Sequence, residues 1–234
     1  MLLQGKNAMI YGGGGKVGGA FARAFAREGA RIFLAGRTLE SLEEVAEEIR
    51  FVGGAAETTQ VDALDEKGVG EHADAVAEKA GSINVSFNAI SIRDVQLIPL
   101  AEMSPGDFMS PIVTAATTHF LTVRAAARHM IGQGSGVILT LSSSAVRAFV
   151  PGVHVGGFGI AGTAIEALTK QLAAELRPQG VRAVWIEAQI KARSLLARVT
   201  TLADVGNAAG FLASDLAGAT TGTVFNLTSG TLVD

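Results

Sequence analysis

Cysteine is absent from the 234-residue chain, which excludes disulfide bonds, thiolate nucleophiles and metal sites built on cysteine. Tyr11 is the only tyrosine, so no other residue can supply a phenolic proton. No apolar run reaches the roughly 18 residues of a membrane span. The sequence shows no charged start followed by an apolar run and a cleavage site, so we expect no signal peptide. We therefore expect a cytoplasmic protein that does not enter a membrane.

Positive charge is also scarce, with 19 Lys and Arg against 22 Asp and Glu and a net charge of -3. Without a Lys/Arg cluster, this balance argues against an electrostatic nucleic-acid binder. No histidine–carboxylate spacing indicates a metal site. His72, His119 and His129 are interpreted as ordinary helix residues.

Glycine, in contrast, is abundant, and it clusters after the first apolar strand. Residues 8–11 form that strand, a helical pattern follows over 17–29, and a second apolar strand covers 31–35. Glycines in such a turn let the backbone approach a ligand closely, and the N–H groups at the helix start favour a phosphate. In this setting the turn predicts nucleotide binding. Its candidate residues are Gly12, Gly13, Gly14, Gly15, Lys16, Val17 and Gly18.

Strand and helix patterns alternate along the whole chain. The predicted strands cover 8–11, 31–35, 57–61, 83–87, 137–141, 181–186 and 224–227. Helices are predicted near 17–29, 39–52, 66–80, 106–132, 157–177 and 203–213. This alternation predicts an α/β fold: a Rossmann-like, doubly wound parallel sheet of about seven strands with helices on both faces. With no linker or repeat, residues 1–234 are expected to form one dinucleotide-binding domain.

Several segments, in this order and spacing, resemble the short-chain dehydrogenase/reductase family. They are residues 8–19, Leu34-Ala35-Gly36-Arg37, Val61-Asp62, 83–89, 137–144, 165–170, 211–215 and Thr221-Gly222. The resemblance covers essentially the whole chain. It implies an oxidoreductase that binds NAD(P) and acts on a carbonyl or alcohol that the sequence does not name.

The resemblance also assigns cofactor contacts. The turn glycines of the family fall on Gly12 and Gly18, whereas Lys16 replaces the glycine usual between them, as a solvated loop residue or a phosphate contact. Asp62 matches the carboxylate that meets the adenine ring in the family, although a turn or helix-capping aspartate is the alternative. Asn88-Ala89 matches the start of the family's Asn-Asn-Ala-Gly segment.

The end of the second strand indicates which dinucleotide is preferred. An acidic residue there hydrogen-bonds a ribose 2′-hydroxyl, and a basic residue accommodates a 2′-phosphate. Here Arg37 and Thr38 follow Gly36, with no carboxylate before Glu40. This favours NADP(H), with NAD(H) possible. The alternative is that Arg37 is a surface residue opening the next helix.

The family's catalytic pattern is incomplete. The match over 165–169 places Phe158 where the family has tyrosine and Gly162 where it has lysine, and Ala115 falls on the asparagine. The tyrosine transfers a proton to a carbonyl while the lysine lowers its pKa, so the usual proton transfer is predicted to be absent. Only the serine remains, as Ser143 or Ser144.

Substitute groups are few. His154 is a candidate acid or base, although a loop or structurally satisfied histidine is the alternative reading, and Glu187 ends the sixth strand. The family's substrate-covering segment is shortened here, near 189–202. These features allow a short-chain oxidoreductase with impaired or atypical catalysis, or a catalytically inactive dinucleotide sensor or partner subunit. A third reading is a scaffold whose nucleotide site is closed by the glycine-rich segment 156–162.

Assembly is predicted from the resemblance and from small residues on the helix near 157–177. We expect a homo-oligomer, a dimer or tetramer, formed through that helix and the long helix near 106–132. A small-molecule substrate is expected if the chain is active.

Overall fold

A parallel sheet of seven strands, in the order β3-β2-β1-β4-β5-β6-β7, forms the centre of the protein. The computed structural model describes residues 1–147, 153–189 and 199–232. The strands are β1 (Asn7–Tyr11), β2 (Arg31–Gly36), β3 (Ala55–Gln60), β4 (Val85–Asn88), β5 (Gly136–Ser143), β6 (Val181–Ala188) and β7 (Val224–Leu227). The helices are α1 (Lys16–Arg27), α2 (Leu39–Phe51), α3 (Glu66–Ala80), α4 (Pro105–Gln133), α5 (Gly157–Leu176) and α6 (Leu202–Ala213). The predicted doubly wound α/β fold is confirmed.

Two hydrophobic layers cover the two faces of the sheet. Alternate residues of β1 point to opposite sides, so Ile10 packs with α1, α2 and α6, while Met9 packs with α3, α4 and α5. Phe21 of α1 stacks on Phe87 of β4 with ring centroids 4.0 Å apart. Apolar side chains and helices therefore cover both faces of the sheet, as is usual for a parallel sheet.

Two central strands run further than their apolar patterns predict. β5 continues past Leu141 to Ser143, and β6 continues past Ile186 to Ala188. The extra residues pair with one another, Ser142 with Glu187 and Ser143 with Ala188. Backbone pairing thus carries polar side chains to the carboxyl edge of the sheet, where hydrophobicity alone would end the strands.

The outer strand β3 also differs from its prediction, because it starts at Ala55 and ends at Gln60. Its pairing with β2 sets these limits, with Ala55 opposite Arg31 and Gln60 opposite Gly36. β4 starts at Val85, two residues later than predicted. Among the described helices, none is long and apolar enough to cross a membrane.

Candidate functional site

The glycine turn between β1 and α1 is packed so closely that side chains are excluded from it. Gly12 has a φ of 74°, and a Cβ there would lie 2.6 Å from the Ala89 carbonyl oxygen. A Cβ on Gly18 would lie 2.3 Å from the Gly12 carbonyl oxygen. On Gly13 it would meet Leu34 Cδ2 at 2.7 Å. These glycines are therefore dictated by the path of the chain.

The start of α1 is free of side-chain caps. Gly15 occupies the N-cap position, no side chain hydrogen-bonds there, and the first turn holds no acidic residue. A helix start leaves backbone N–H groups unpaired and carries partial positive charge. Lys16, the first helical residue, is exposed and adds a full positive charge beside them. This end of α1 suits an anion.

A cavity of about 310 Å³ lies beside this turn, and we call it the glycine-turn cavity. It brings together six of the predicted cofactor residues, which are Gly12, Gly14, Gly15, Arg37, Asp62 and Ala89. Thr38 and Ser41 add hydroxyl groups to its wall next to Arg37. Asp62 Oδ1 accepts a hydrogen bond from the Leu64 N–H at 3.0 Å, so this carboxylate also shapes its own turn.

A second cavity, of about 350 Å³, lies further along the same edge. Ser142, Ser143, Phe158 and Gly162 line it, and we call it the serine cavity. Val17 and Asn88, predicted as cofactor contacts, line this cavity rather than the first. The Asn88 side chain is internally bonded, since Nδ2 donates to Thr122 Oγ1 at 3.1 Å and Oδ1 accepts from the Ile90 N–H at 3.0 Å.

The two candidate serines have different positions. Ser143 lines the serine cavity, and its Oγ accepts a hydrogen bond from the Ala145 N–H at 3.2 Å. Ser144 is 2% exposed, begins a short 3₁₀-helix and is not among the lining residues. Ser142, one residue before the predicted pair, does line the cavity. The extension of β5 determines which serines face the cavity, and loop counting could not reveal it.

Gly162, predicted to match the family's lysine, faces a filled space. A Cβ on Gly162 would lie 2.3 Å from Val146 Cγ2 and 3.0 Å from Ser142 Oγ. Ala115, at the asparagine position, is completely buried. Packing thus fills the space at Gly162 and Ala115, the positions predicted to match the family's lysine and asparagine, and the Val146 side chain takes the room that one at 162 would need.

A partly buried charge cluster that sequence reasoning missed lies next to Val146. Arg147 Nη2 donates to Glu166 Oε1 at 2.7 Å, and Arg147 Nε lies 3.5 Å from Glu187 Oε2. Glu187 is 1% exposed. Burial would raise the pKa of the Glu166 carboxyl, but hydrogen bonds from Arg147 and Lys170 hold it below its usual value. Periodicity could not pair Arg147 with carboxylates on α5 and β6.

The structure places His154 outside both cavities, and it places the glycine-rich segment 156–162 where it does not close the nucleotide site. The His154 carbonyl accepts a hydrogen bond from the Leu97 N–H at 2.8 Å, and His154 is not among the residues lining either cavity. Within the segment 156–162, a Cβ on Gly157 would lie 1.9 Å from the Phe108 carbonyl oxygen. This segment therefore packs its N-terminal end against α4, and the glycine-turn cavity stays open. Most of the predicted covering segment, residues 190–198, lies outside the described residues.

Two histidines interpreted as ordinary helix residues are deeply buried. His72 Nδ1 lies 3.0 Å from the Tyr11 hydroxyl, and Tyr11 lines the glycine-turn cavity. His119 lines the serine cavity, and its Nδ1 lies 3.0 Å from the Ala115 carbonyl oxygen. Burial lowers the pKa of each imidazole to about 4. Both are therefore neutral at physiological pH.

Comparison with known proteins agrees with this architecture. A family model described as short chain dehydrogenase matches residues 6–196. D-threitol dehydrogenase of Mycolicibacterium smegmatis is 32% identical over 184 residues, covering 77% of this chain and 68% of that protein. The 7α-hydroxysteroid dehydrogenase of Clostridium sardiniense is 27% identical, covering 97% of this chain and 94% of that protein.

Solved structures of short-chain dehydrogenases/reductases have a similar fold. A short-chain type dehydrogenase/reductase from Mycobacterium marinum has a TM-score of 0.91 and 27% identity, covering 99% of this chain and 97% of the other. A xylitol dehydrogenase in its NAD⁺-bound form has a TM-score of 0.89, covering 98% of this chain and 100% of the other, and at 23% identity it shows a shared fold.

Proposed function

The chain belongs to the short-chain dehydrogenase family of oxidoreductases, and from this premise we propose that it binds NADP(H) in preference to NAD(H). The observation that carries the proposal is the uncapped start of α1 beside a cavity that also holds Arg37, Thr38 and Ser41. The N–H groups of the turn suit the pyrophosphate, and the guanidinium with two hydroxyls suits a 2′-phosphate. A xylitol dehydrogenase of the same fold binds NAD⁺.

The residues present fit such a dinucleotide. Gly12 and Gly14 line the cavity with backbone alone, and a side chain on either is excluded because its Cβ would meet the Ala89 carbonyl oxygen at 2.6 Å or Ser41 Cβ at 2.8 Å. Asp62 and Ala89 line the same cavity as Arg37, and Asp62 is assigned to the adenine. When bound, the nicotinamide would supply or accept the hydride, and the protein would orient it.

Titration of the purified protein with NADPH and NADH, followed by cofactor fluorescence, tests this proposal. We expect NADPH to bind at least about tenfold more tightly, because a charge-assisted contact is worth about 1.5–3 kcal/mol. Arg37→Asp should remove this preference. Arg128→Asp makes the same change of charge on an exposed residue that does not line the cavity. Failure of both dinucleotides to bind, or tighter binding of NADH, would refute the assignment.

We further propose that catalysis is impaired or atypical. Phe158 has no ionisable proton, and no ammonium at 162 is available to tune one. General acid–base catalysis typically contributes about 10²–10⁴-fold, so reduction of ordinary ketones with NADPH should be slower by that order. Brisk reduction that is insensitive to changes at Ser143 and Ser144 would contradict this. Residual turnover abolished by His154→Ala would assign the proton transfer to that histidine.

The alternative function is a catalytically inactive dinucleotide sensor or partner subunit. The observation that favours it is the filled space at Gly162, because Val146 leaves no room for an amine beside the serines. Binding of NADPH without turnover of any alcohol or ketone would support this alternative. Turnover that requires Ser143 would support the oxidoreductase.

Self-association is proposed as well. Met109, Val113 and Phe120 on α4 and Ile160 on α5 are exposed large apolar residues. Burying them would stabilise a contact with a second copy, so we propose a homo-oligomer formed through α4 and α5, a dimer or tetramer. A monomeric mass by light scattering would reject this.

We place the protein, as one domain with a short substrate cover, in the cytoplasm, and fractionation of cells would test the location.

A further inference from the structure

The glycine-turn cavity and the serine cavity adjoin at the start of α1 and share part of their walls. Gly15 lines the first and Val17 lines the second, so the intervening Lys16 marks the boundary between them. Residues 89–91 line both cavities. A dinucleotide whose pyrophosphate lies over the start of α1 therefore has its adenosine half on one side of this boundary and its nicotinamide half on the other.

The adenosine side of the boundary carries the charged groups. Arg37 and Asp62 line the glycine-turn cavity, together with the hydroxyl-bearing Thr38 and Ser41. Arg37 forms no ion pair with any residue in the part of the chain that the structure describes, so its guanidinium is available to an anion. Hydrogen bonds to a charged partner are about twice as strong as those between neutral groups. Most of the affinity for a 2′-phosphorylated nucleotide should therefore arise on this side.

The serine cavity offers the nicotinamide half only neutral groups. Among the described residues that line it, none is Asp, Glu, Lys or Arg, and His119 is neutral because burial lowers its pKa to about 4. The Asn88 amide is already bonded, since it donates to Thr122 Oγ1 at 3.1 Å and accepts from the Ile90 N–H at 3.0 Å. Serine hydroxyls are left for a ligand, and such neutral hydrogen bonds replace ones to water with little net gain.

Packing also keeps a charged side chain out of this cavity. Gly162, predicted to match the family's lysine, has its space filled, because a Cβ there would lie 2.3 Å from Val146 Cγ2. Phe158, predicted to match the family's tyrosine, lines the cavity with a ring that has no hydrogen-bonding atom. Neither position can bond the ribose hydroxyls beside the nicotinamide.

We propose that the protein recognises the 2′-phosphorylated ADP-ribose part of the dinucleotide and gains no affinity from the nicotinamide. NADP⁺, NADPH and 2′-phospho-ADP-ribose then compete for one site with nearly equal affinity. Oxidised nicotinamide carries a positive charge that the reduced ring lacks, and no charged residue among those described lines the serine cavity. The protein thus reads the 2′-phosphate and not the redox state of the cofactor. This inference rests on the proposed NADP(H) binding and names the part of the ligand that is recognised.

Titration calorimetry of the unmutated protein with NADPH, NADP⁺, 2′-phospho-ADP-ribose and ADP-ribose tests the inference. We expect the dissociation constants of the first three to agree within about fivefold, because neutral hydrogen bonds add little net free energy. ADP-ribose, which lacks the 2′-phosphate, should bind at least about tenfold more weakly. NADPH that binds more tightly than 2′-phospho-ADP-ribose by more than about fivefold, or that differs from NADP⁺ by more than this factor, would overturn the inference.

A variant that adds the missing charge tests the cause. Gly162→Lys combined with Val146→Gly brings an ammonium to the serine cavity and removes the side chain that fills its space. NADPH should then bind at least about tenfold more tightly than 2′-phospho-ADP-ribose, because hydrogen bonds from a charged group are the stronger ones. Val146→Gly alone is the matched control, since it opens the space without adding a charge, and its two affinities should stay equal. Equal affinities in a double variant with unchanged circular dichroism would contradict this cause.

The two proposals can fail separately. If NADH binds as tightly as NADPH, the proposed preference is refuted, whereas equal affinities of NADH and ADP-ribose still support the inference that nicotinamide adds nothing. If NADPH binds more tightly than both NADH and 2′-phospho-ADP-ribose, the proposed function stands and the inference falls. No binding of any of these probes overturns both.

Discussion

The glycine-turn cavity and the serine cavity share one sheet edge but differ in the kind of atom that packs around them. Around the first, a Cβ on Gly12 or Gly18 would strike backbone atoms at 2.6 Å or less, and the helix start beyond remains uncapped. Around the second, the contact at Gly162 is with a side chain, Val146 Cγ2, at 2.3 Å. The first site thus depends on the path of the backbone, and the second on which side chains fill it.

Under the proposed function, this difference accounts for a binding region whose form is fixed and a neighbouring region whose side chains can vary. The backbone of the glycine turn cannot change its path without moving β1 and α1, because Ile10 and Phe21 of these elements are buried in the core. A cavity lined by side chains can exchange its groups with little change of fold, and Phe158 and Ala115 are the predicted examples. Interiors tolerate substitutions that conserve volume much better than ones that add to it.

The largest effect on this comparison is expected from Arg147, which holds the charge cluster behind the serine cavity. Arg147→Gln removes the guanidinium from Glu187, a carboxylate that is 1% exposed. Removing one partner of a buried pair costs about 3–5 kcal/mol. Because the Arg147 side chain is 31% exposed, we expect a loss in the lower half of that range, measured by urea unfolding. Lys67→Gln is the control, because Lys67 and Glu71 form an exposed pair at 3.4 Å, worth about 0.5 kcal/mol. A loss below about 1 kcal/mol for Arg147→Gln would show that other groups support Glu187.

Gly18→Ala tests the other cavity. Its Cβ would lie 2.3 Å from the Gly12 carbonyl oxygen, so the turn must move. We expect a loss of about 3 kcal/mol in the free energy of unfolding, at the upper end for overpacking, and loss of NADPH binding. Gly132→Ala, in α4, is the matched control, since no atom lies within 4 Å of its Cβ and alanine favours the helix by up to about 1 kcal/mol. Unchanged NADPH affinity in Gly18→Ala would remove the turn from the site.

Acid should destabilise the regions beneath both cavities. Burial lowers the pKa values of His72 and His119 from 6.5 to about 4. Between these values the unfolded chain binds more protons than the folded one, so stability falls as pH drops from about 6.5 to about 4. Each histidine should contribute about 2 kcal/mol of loss by pH 5. Urea unfolding at several pH values would measure this, and His72→Phe and His119→Phe should each flatten the profile. A profile unchanged by both variants would contradict the prediction.

The smallest change in the free energy of unfolding is expected at Gly162. It tests whether side chains at 146 and 162 compete for one space in the serine cavity. Gly162→Ala should cost about 1–2 kcal/mol by overpacking against Val146. Combined with Val146→Ala, that cost should largely disappear, giving a coupling free energy of about 1 kcal/mol in a double-mutant cycle. Additive effects would show that the two side chains do not compete for one space.

If catalysis is impaired as proposed, the same pair determines which substitutions should raise it. Phe158→Tyr with Gly162→Lys should not restore ketone reduction, because the lysine stem enters the space of Val146. Adding Val146→Gly should raise NADPH-dependent reduction above that of the double variant, measured as initial rates. Equal rates with and without Val146→Gly would place the obstacle elsewhere.

Much of the fold could be predicted from local pattern. The apolar runs predicted all seven strands of a parallel sheet, with errors only at strand ends, as at Ser143 and Ala188, while their order in the sheet came from the structure. Those ends were missed because a strand ends where its backbone pairing ends, and Ser142 pairs with Glu187 although neither residue is apolar. The glycine-turn residues were predicted from the local strand–turn–helix pattern, and Asp62, Asn88 and Ala89 were predicted by resemblance. Their assignment as cofactor contacts stays a prediction.

By itself, the sequence determined the alternation of strands and helices, the glycine turn at Gly12–Gly15 and the absence of a tyrosine at 158, because each is a property of neighbouring residues. Only the tertiary structure decided that Ser142 and Ser143, rather than Ser144, line the serine cavity. It also decided that His119 joins them there, although the helical pattern presented it as an ordinary residue. These features depend on contacts between elements far apart in the chain, and local periodicity carries no information about which distant side chains meet.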